Sequence, residues 1–287
     1  MNGILLIDKP RDWTSHDVVA KLRGLYHERR IGHSGTLDPM ATGLLVVFLG
    51  RATRAVEFAE ADEKEYIAAL RFGVTTDTQD ITGNILRTCD DIPDEQTLRD
   101  ALIRFTGDIE QIPPMYSAIK KEGKKLYELA RKGIEVERKP RRITIHSLSL
   151  VERREDGDYV LRIRCSKGTY IRTLCHDLGE LLGCGACMTE LRRTKAGAFN
   201  IEDAQTLASI QSMEDPSALL IPVDRLFAAL PALTVEEGAV RLIRNGNSVP
   251  MDVCEGEFRV YGPDGDFLML GRGEKGHLRT IKSFFEV

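Results

Sequence analysis

No run of residues is long and apolar enough to cross a bilayer as a helix, which excludes a helical membrane protein and predicts no membrane partner. The first residues, MNGILLIDKP, lack a basic n-region and carry only a short apolar run, so they read as a β-strand and not as a signal peptide. Cysteine is sparse: six (Cys89, Cys165, Cys175, Cys184, Cys187, Cys254) in 287 residues are too few for a disulfide scaffold. A reducing compartment follows, and the expected location is the cytoplasm. Cys184 and Cys187 form one C-x-x-C, but no second pair of ligands stands at zinc spacing, so no metal is expected and the pair reads as small residues packed at a helix end. Neither the 25 glycines nor the 11 prolines suggest a fibrous or disordered chain, and no internal repeat or low-complexity tract is present.

Overall basic charge is also missing, the net charge being −4. The charge is nevertheless segregated: residues 113–195 hold 19 Lys and Arg against 11 Asp and Glu, a surplus of eight. Steering of a polyanion depends on the local patch, so this middle third suits phosphate contact as well as it suits a solvated basic face.

The length allows one large domain and a small one, placed at 1–231 and 232–287. GILLID reads as a strand, Ser15 as the N-cap of a helix with Val18, Val19, Leu22, Leu25 and Tyr26 inward, and LLVVFLG as a buried strand. A helix is predicted over RATRAVEFAEA, a strand over EYIAALRFG, and a helix over DEQTLRDALIRFTG with Leu98, Ala101, Leu102 and Phe105 inward. KKEGKKLYELARKG suggests a charged turn and a short helix ended by Gly133. A hairpin joins RRITIHSLSLVERR to DYVLRIRCS across Glu155, Asp156 and Gly157. TYIRTLCHDLGELLG reads as a helix with Tyr170, Leu174, Leu178 and Leu181 buried, and 201–212 as helical. From Ala232 the pattern is strand-like. Hairpins without a regular βαβ rhythm predict an α+β fold, with a mixed, largely antiparallel sheet flanked by helices.

The stretch GHSGTLDPMATGLL, residues 32–45, is the least ordinary. Gly32, Gly35 and Gly43 permit close approaches, and Pro39 pushes Asp38 out of helical geometry, projecting its carboxylate as a nucleophile is presented. Asp before Pro also starts ordinary turns, and the loop alone does not decide. No Gly-Lys-Ser/Thr follows, which excludes a P-loop, and His33 with Asp38 lacks a third metal ligand.

The loop resembles the catalytic signature of the TruB family of tRNA pseudouridine synthases, G-H-T/S-G-x-L-D-P. LLIDKP, KEYIAALRFGVTTDTQDITG, IPPMYSAIKKEGKKLYELARKGIEV and CSKGTYIRTLCHDLGELLGCGA follow that family in the same order, from about residue 2 to 200. Ser34 replaces the commoner Thr and keeps a hydroxyl. The resemblance implies a pseudouridine synthase fold and a cofactor-free isomerase of the T-loop uridine at tRNA position 55. Asp38 would attack the ribose or abstract a sugar proton, Tyr66 would stack on the flipped base, and Arg172 would pair with Asp38. His33, Lys9, Leu191 and Tyr170 are carried over as substrate-site residues. Lys120, Lys121, Lys124, Lys125, Arg138, Lys139, Arg141 and Arg142, in or beside a basic insertion at about 111–145, are assigned to phosphates of the tRNA T-arm. The short tail would be PUA-like. The expected partner is tRNA alone, with a monomeric enzyme and no obligate protein partner. The competing readings are a guide-RNA-dependent synthase and a non-catalytic RNA-binding or chaperone protein.

Overall fold

The structure is a computed structural model, and it describes residues 1–60, 63–121 and 123–285. The first strand, β1 (Gly3–Lys9), is buried along almost its whole length. Helix α1 (Ser15–Tyr26) starts one residue earlier than expected, because Thr14 and not Ser15 is the N-cap. The Thr14 hydroxyl accepts the Asp17 N–H at 3.0 Å and the Asp17 carboxylate accepts the Thr14 N–H at 2.8 Å, a reciprocal capping box. Val18, Val19, Leu22 and Tyr26 are buried as the helical spacing predicts, while Leu25 is only half-buried; burial of each of the three aliphatic side chains is worth roughly 1.5–3 kcal/mol. Strands β2 (Ile31–Ser34) and β3 (Thr42–Leu49) pair antiparallel, Ile31 opposite Leu49 and Ser34 opposite Val46. The helix expected next begins as a 3-10 turn over Gly50–Ala55 and becomes α2 only at Val56–Glu60.

Strand β4 (Lys64–Phe72) follows, and β5 (Val74–Thr76) and β6 (Ile85–Thr88) bracket the polar turn between them. Helix α3 (Glu95–Arg104), capped by Asp94, buries Leu98, Ala101 and Leu102; Phe105 lies past its end and is only half-buried. Strand β7 (Gly107–Gln111) leads to a small hairpin, β8 (Lys120–Lys121) and β9 (Lys124–Lys125), and to α4 (Leu126–Ala130). The expected hairpin forms from β10 (Arg141–Arg153) and β11 (Tyr159–Cys165), with Gly157 in the left-handed region at φ 89°. Helix α5 (Ile171–Leu181) buries Ile171, Arg172, Thr173, Leu174, Cys175 and Leu178. Tyr170 is its N-cap and half-buried, and Leu181 is 37% exposed. Both fall roughly a quarter turn off the centre of the buried face, which corrects the expected face.

Strand β12 (Ala186–Ala196) was not anticipated, its apolar residues being interrupted by Glu190, Arg192, Arg193 and Lys195. After β13 (Phe199–Asn200) and α6 (Leu207–Ser212) come β14 (Ala232–Thr234), α7 (Glu237–Arg244), β15 (Val249–Pro250), β16 (Gly256–Tyr261), β17 (Phe267–Glu274) and β18 (His277–Ser283). Helix α7 corrects the purely strand-like reading of the tail; its buried anchors are only Val240 and Ile243.

The chain divides into two compact units. One comprises Met40–Leu44 and Ala61–Asn200. Its strands run in the order β12-β4-β11-β10-β7, all neighbours antiparallel, with the start of β3 parallel to β12 at Thr42 and Gly43. Helix α5 packs on β12, and a Cβ at Gly179 would lie 2.1 Å from the Ala186 nitrogen, so only glycine fits there. The other unit comprises Met1–Pro39, Leu45–Glu60 and Ile201–Val287. Here β3 pairs with both β1 and β2, and α1 closes a core of Leu5, Ile7, Val18, Leu22, Leu45, Val47 and Ile210. The same unit holds a five-stranded sheet, β14-β16-β17-β18-β15, around its own core of Val235, Val240, Ile243, Val260, Met269 and Leu278. The α+β class, the largely antiparallel mixed sheet and the β-rich C-terminal part are as expected.

Candidate active site

Within the first-residue unit, β2 ends at Ser34 and Gly35 turns the chain at φ 74° into the loop that carries Asp38. Leu37 is fastened to α1: its N–H donates to Ser15 Oγ at 3.0 Å and that hydroxyl donates to the Leu37 carbonyl at 3.3 Å. On the other side the Pro39 carbonyl accepts the Asp12 N–H at 2.8 Å and the Lys9 ammonium at 3.2 Å. Asp38 is therefore held between two anchored peptides, with its half-buried side chain leaving a backbone that cannot drift. Lys9 is fully buried and also donates to the carbonyls of Pro10 at 2.8 Å and Trp13 at 2.5 Å. A buried ammonium is tolerable only with such partners, and here they tie the β1 end to the Asp38 loop. His33 sits on β2 opposite Val47, edge-on to the His16 ring at 6.0 Å between centroids.

In the other unit Tyr66 lies on β4, 8% exposed, directly opposite Ile163 of β11 and Arg193 of β12. Leu191 is opposite Ala68, two residues along, so Tyr66, Leu191 and Arg193 share one face of the sheet. Arg193 is 1% exposed and donates its Nε to the Leu44 carbonyl at 2.7 Å. Arg172, in the first turn of α5, is also buried. Its guanidinium donates to the Thr78 carbonyl at 3.1 Å, the Tyr116 carbonyl at 2.7 Å and the Asp80 carboxylate at 3.4 Å. Asp80, itself 4% exposed, is further held by the Thr78 hydroxyl at 2.9 Å and the Thr82 N–H at 3.0 Å. The start of α5 is fixed by Gln111, whose side-chain amide donates to the Tyr170 carbonyl at 3.0 Å and accepts its N–H at 2.8 Å.

The basic segment leaves the sheet after β7 and returns at β10, which pair directly: Arg141 faces Gln111 and Arg142 faces Glu110. Residues 112–140 are an excursion between two paired strands. Lys120 opposes Lys125 and Lys121 opposes Lys124 in its hairpin, four like charges that repel one another and favour a polyanion. Lys121 donates to the Glu137 carbonyl at 2.8 Å, and Lys125 lies 5.4 Å over the Tyr127 ring. Arg142 is engaged by Asp108 at 2.7 Å, and Arg138 by Glu135 at 3.1 Å; Lys139 and Arg141 are exposed.

Asp80, Arg193 and Gln111 were not read as site residues in the sequence, and Ser15 was read only as a helix cap. Asp80 had a signal, standing in the TTDTQDITG block; Arg193 stands two residues from Leu191, the spacing of one strand face. Gln111 carried none, and the capping signal at Ser15 gave no hint of its bonds to Leu37. Cys184 and Cys187 are buried, and burial pushes the Cys187 thiol up to about 11, the opposite of a reactive or metal-binding cysteine. Among the described residues no group of three or more His, Cys, Asp or Glu is placed to hold a metal, and no helix is long and apolar enough to cross a membrane.

The largely antiparallel mixed sheet with its flanking helices is the fold of the pseudouridine synthase class. Residues 23–171 match the N-terminal domain of the TruB family pseudouridylate synthases, and residues 172–228 match the C-terminal domain of tRNA pseudouridylate synthase B. The tRNA pseudouridine synthase B of Syntrophotalea carbinolica is 49% identical, over 99% of this chain and 98% of its own length. That of Clostridium kluyveri is 41% identical over 99% and 100%. Among solved structures, a Cbf5-Nop10-Gar1 complex aligns with a TM-score of 0.74 at 27% identity, covering 99% of this chain and 85% of that one. The chain belongs to the TruB family of pseudouridylate synthases.

Proposed function

We propose that the chain is a stand-alone tRNA pseudouridine synthase that isomerises the T-loop uridine at position 55 without a cofactor or a guide RNA. The observation that carries this reading is the doubly anchored Asp38 loop in a chain of this family. The reaction breaks the bond from ribose C1′ to N1, turns the base and rejoins it through C5. Asp38 supplies the ionised carboxylate, either to the ribose as a nucleophile or to a sugar proton as a base. Arg172 pairs with and orients that carboxylate. Tyr66 stacks on the extruded base, Leu191 lines the pocket beside it, and His33 fills the space the base vacates. Lys9 supports the loop. The lysines of the 112–140 excursion, with Arg141, contact T-arm phosphates and position the RNA without specifying sequence. Residues 1–231 form the synthase domain and 232–287 a PUA-like module, and the enzyme works as a cytoplasmic monomer.

The test is incubation of the purified protein with an unmodified tRNA transcript, without metal or guide, followed by site-resolved pseudouridine mapping. Modification at position 55 is expected, and its loss in Asp38→Asn at retained tRNA binding. Absence of pseudouridine with the unaltered protein would falsify the reading.

A further inference from the structure

A second concentration of positive charge lies outside the 112–140 excursion, in the unit that carries Asp38. A cleft of about 500 Å³ is lined by Met1, Asn2, Glu28, Arg29, Arg30, Gly50 and Arg51. Arg29 and Arg30 follow the left-handed His27, φ 49°, which ends α1 and turns the chain. Arg51 belongs to the 3-10 turn after β3. The two segments are tied together by the Gly50 N–H, which donates to the Arg30 carbonyl at 2.7 Å. The Arg51 N–H donates to Asn2 Oδ1 at 2.6 Å, joining a third segment. Gly50 sits at φ 60°, and a Cβ there would come within 2.0 Å of the Met1 carbonyl oxygen, so the cleft floor demands glycine. The single carboxylate in the lining, Glu28, accepts the Arg30 N–H at 2.8 Å, and that bond is the first cause that holds its carboxyl below the usual range. Among the described residues, none of the three guanidinium groups has a carboxylate within ion-pair distance. Three cations thus stand on a backbone braced at three points, around room for a nucleotide-sized group, and the one carboxylate among them is already paired with the N-terminal ammonium at 3.3 Å.

The geometry points to a phosphate-binding cleft in which Arg29, Arg30 and Arg51 hold the sugar-phosphate backbone of the RNA substrate, separately from the lysine hairpin. This rests on the tRNA reading above. Guanidinium groups grip phosphate oxygens in a bidentate fork, and each phosphate neutralised releases counterions, so the site has a salt signature. The test compares tRNA affinity across a salt series for the unaltered chain and for the Arg29→Gln/Arg30→Gln/Arg51→Gln variant. Arg99→Gln, an exposed arginine elsewhere paired with Glu95 at 3.5 Å, serves as the control. Glutamine keeps the polar stem and removes the charge, and thermal melting checks that the variant is folded. The expected results are a roughly tenfold loss of affinity at low salt and a slope of log K against log salt smaller by about 2 to 3. A slope change no larger than that of Arg99→Gln overturns the inference. So does a response confined to inorganic phosphate, followed by its stabilisation of the folded protein, with unchanged tRNA binding, since the cleft would then take a free anion. Failure of the tRNA reading itself would show differently, as no pseudouridine from the unaltered protein.

Discussion

Arg172 shows how a residue chosen for one purpose is held by several. The resemblance gives it the catalytic carboxylate as a partner. Within its own unit it also bridges the Thr78 and Tyr116 carbonyls and Asp80, joining the turn after β5 to the segment before β8. A lysine retains the charge but not the fork, so Arg172→Lys is expected to lose much more turnover than tRNA affinity and to melt earlier. Single-turnover kinetics beside a binding isotherm separates the two, and equal losses would refute an orienting role. Asp80→Asn leaves the buried guanidinium short of an anion, and urea unfolding should show a loss of about 3 kcal/mol. Unchanged stability would mean that the 3.4 Å pair contributes little beside the carbonyl bonds. Asp38, Tyr66 and Arg172 were assigned only through the resemblance of ordered motif blocks. Chemistry alone left Asp38 undecided between a turn residue and a presented carboxylate, because the anchors of its loop, Ser15 and Lys9, stand 23 and 29 residues away in the sequence.

At the scale of elements, local signals were legible and non-local ones were not. The hairpin at Gly157 and the apolar face of α1 follow from nearest-neighbour rules, whereas β12 carries four charged side chains whose burial or exposure is decided by β4 and β3. The three loop glycines illustrate the same division. Gly43 has φ 97°, and a Cβ would meet the Arg193 carbonyl oxygen at 2.3 Å; Gly32 is not left-handed, and its nearest neighbour would be at 3.7 Å. Gly43→Ala should therefore cost on the order of 3 kcal/mol in denaturant unfolding, and Gly32→Ala should stay within about 0.5 kcal/mol. Comparable costs would show that the β3–β12 approach is not what requires Gly43. The α1 capping box makes a pH prediction. Thr14→Ala should cost about 1 kcal/mol. Hydrogen bonds from the Thr14 side chain and backbone hold the Asp17 carboxyl below its usual value of 3.8. Its contribution is therefore present above that value and lost as the pH falls through the lower folded one. The stability gap between the unaltered chain and Asp17→Asn should close on acidification below pH 3.8; a gap that persists to the lowest pH would assign it to packing.

Over the whole molecule, a net charge of −4 conceals a middle third with a surplus of eight positive charges, which was visible by counting along the chain. Counting did not reveal which of those charges are committed internally. Arg142 is held by Asp108 at 2.7 Å, and the Asp108 carboxyl is kept below its ordinary value by the Thr144 hydroxyl and then by Arg142. Lys120 and Lys124 lie on opposite strands of an exposed hairpin and are surrounded by their own kind. A phosphate gains most from cations without an internal anion, because approaching a paired one first breaks the existing bond. Lys120→Gln/Lys124→Gln should thus reduce the slope of log K against log salt for tRNA by about 1.5 to 2, while Arg142→Gln changes it by less than about 0.5. Thermal melting should be little altered by the lysine pair, since removing like charges from facing strands relieves repulsion. Equal slope changes in the two variants would mean that position along the chain matters more than prior pairing, and the excursion would then be acting as a diffuse basic field.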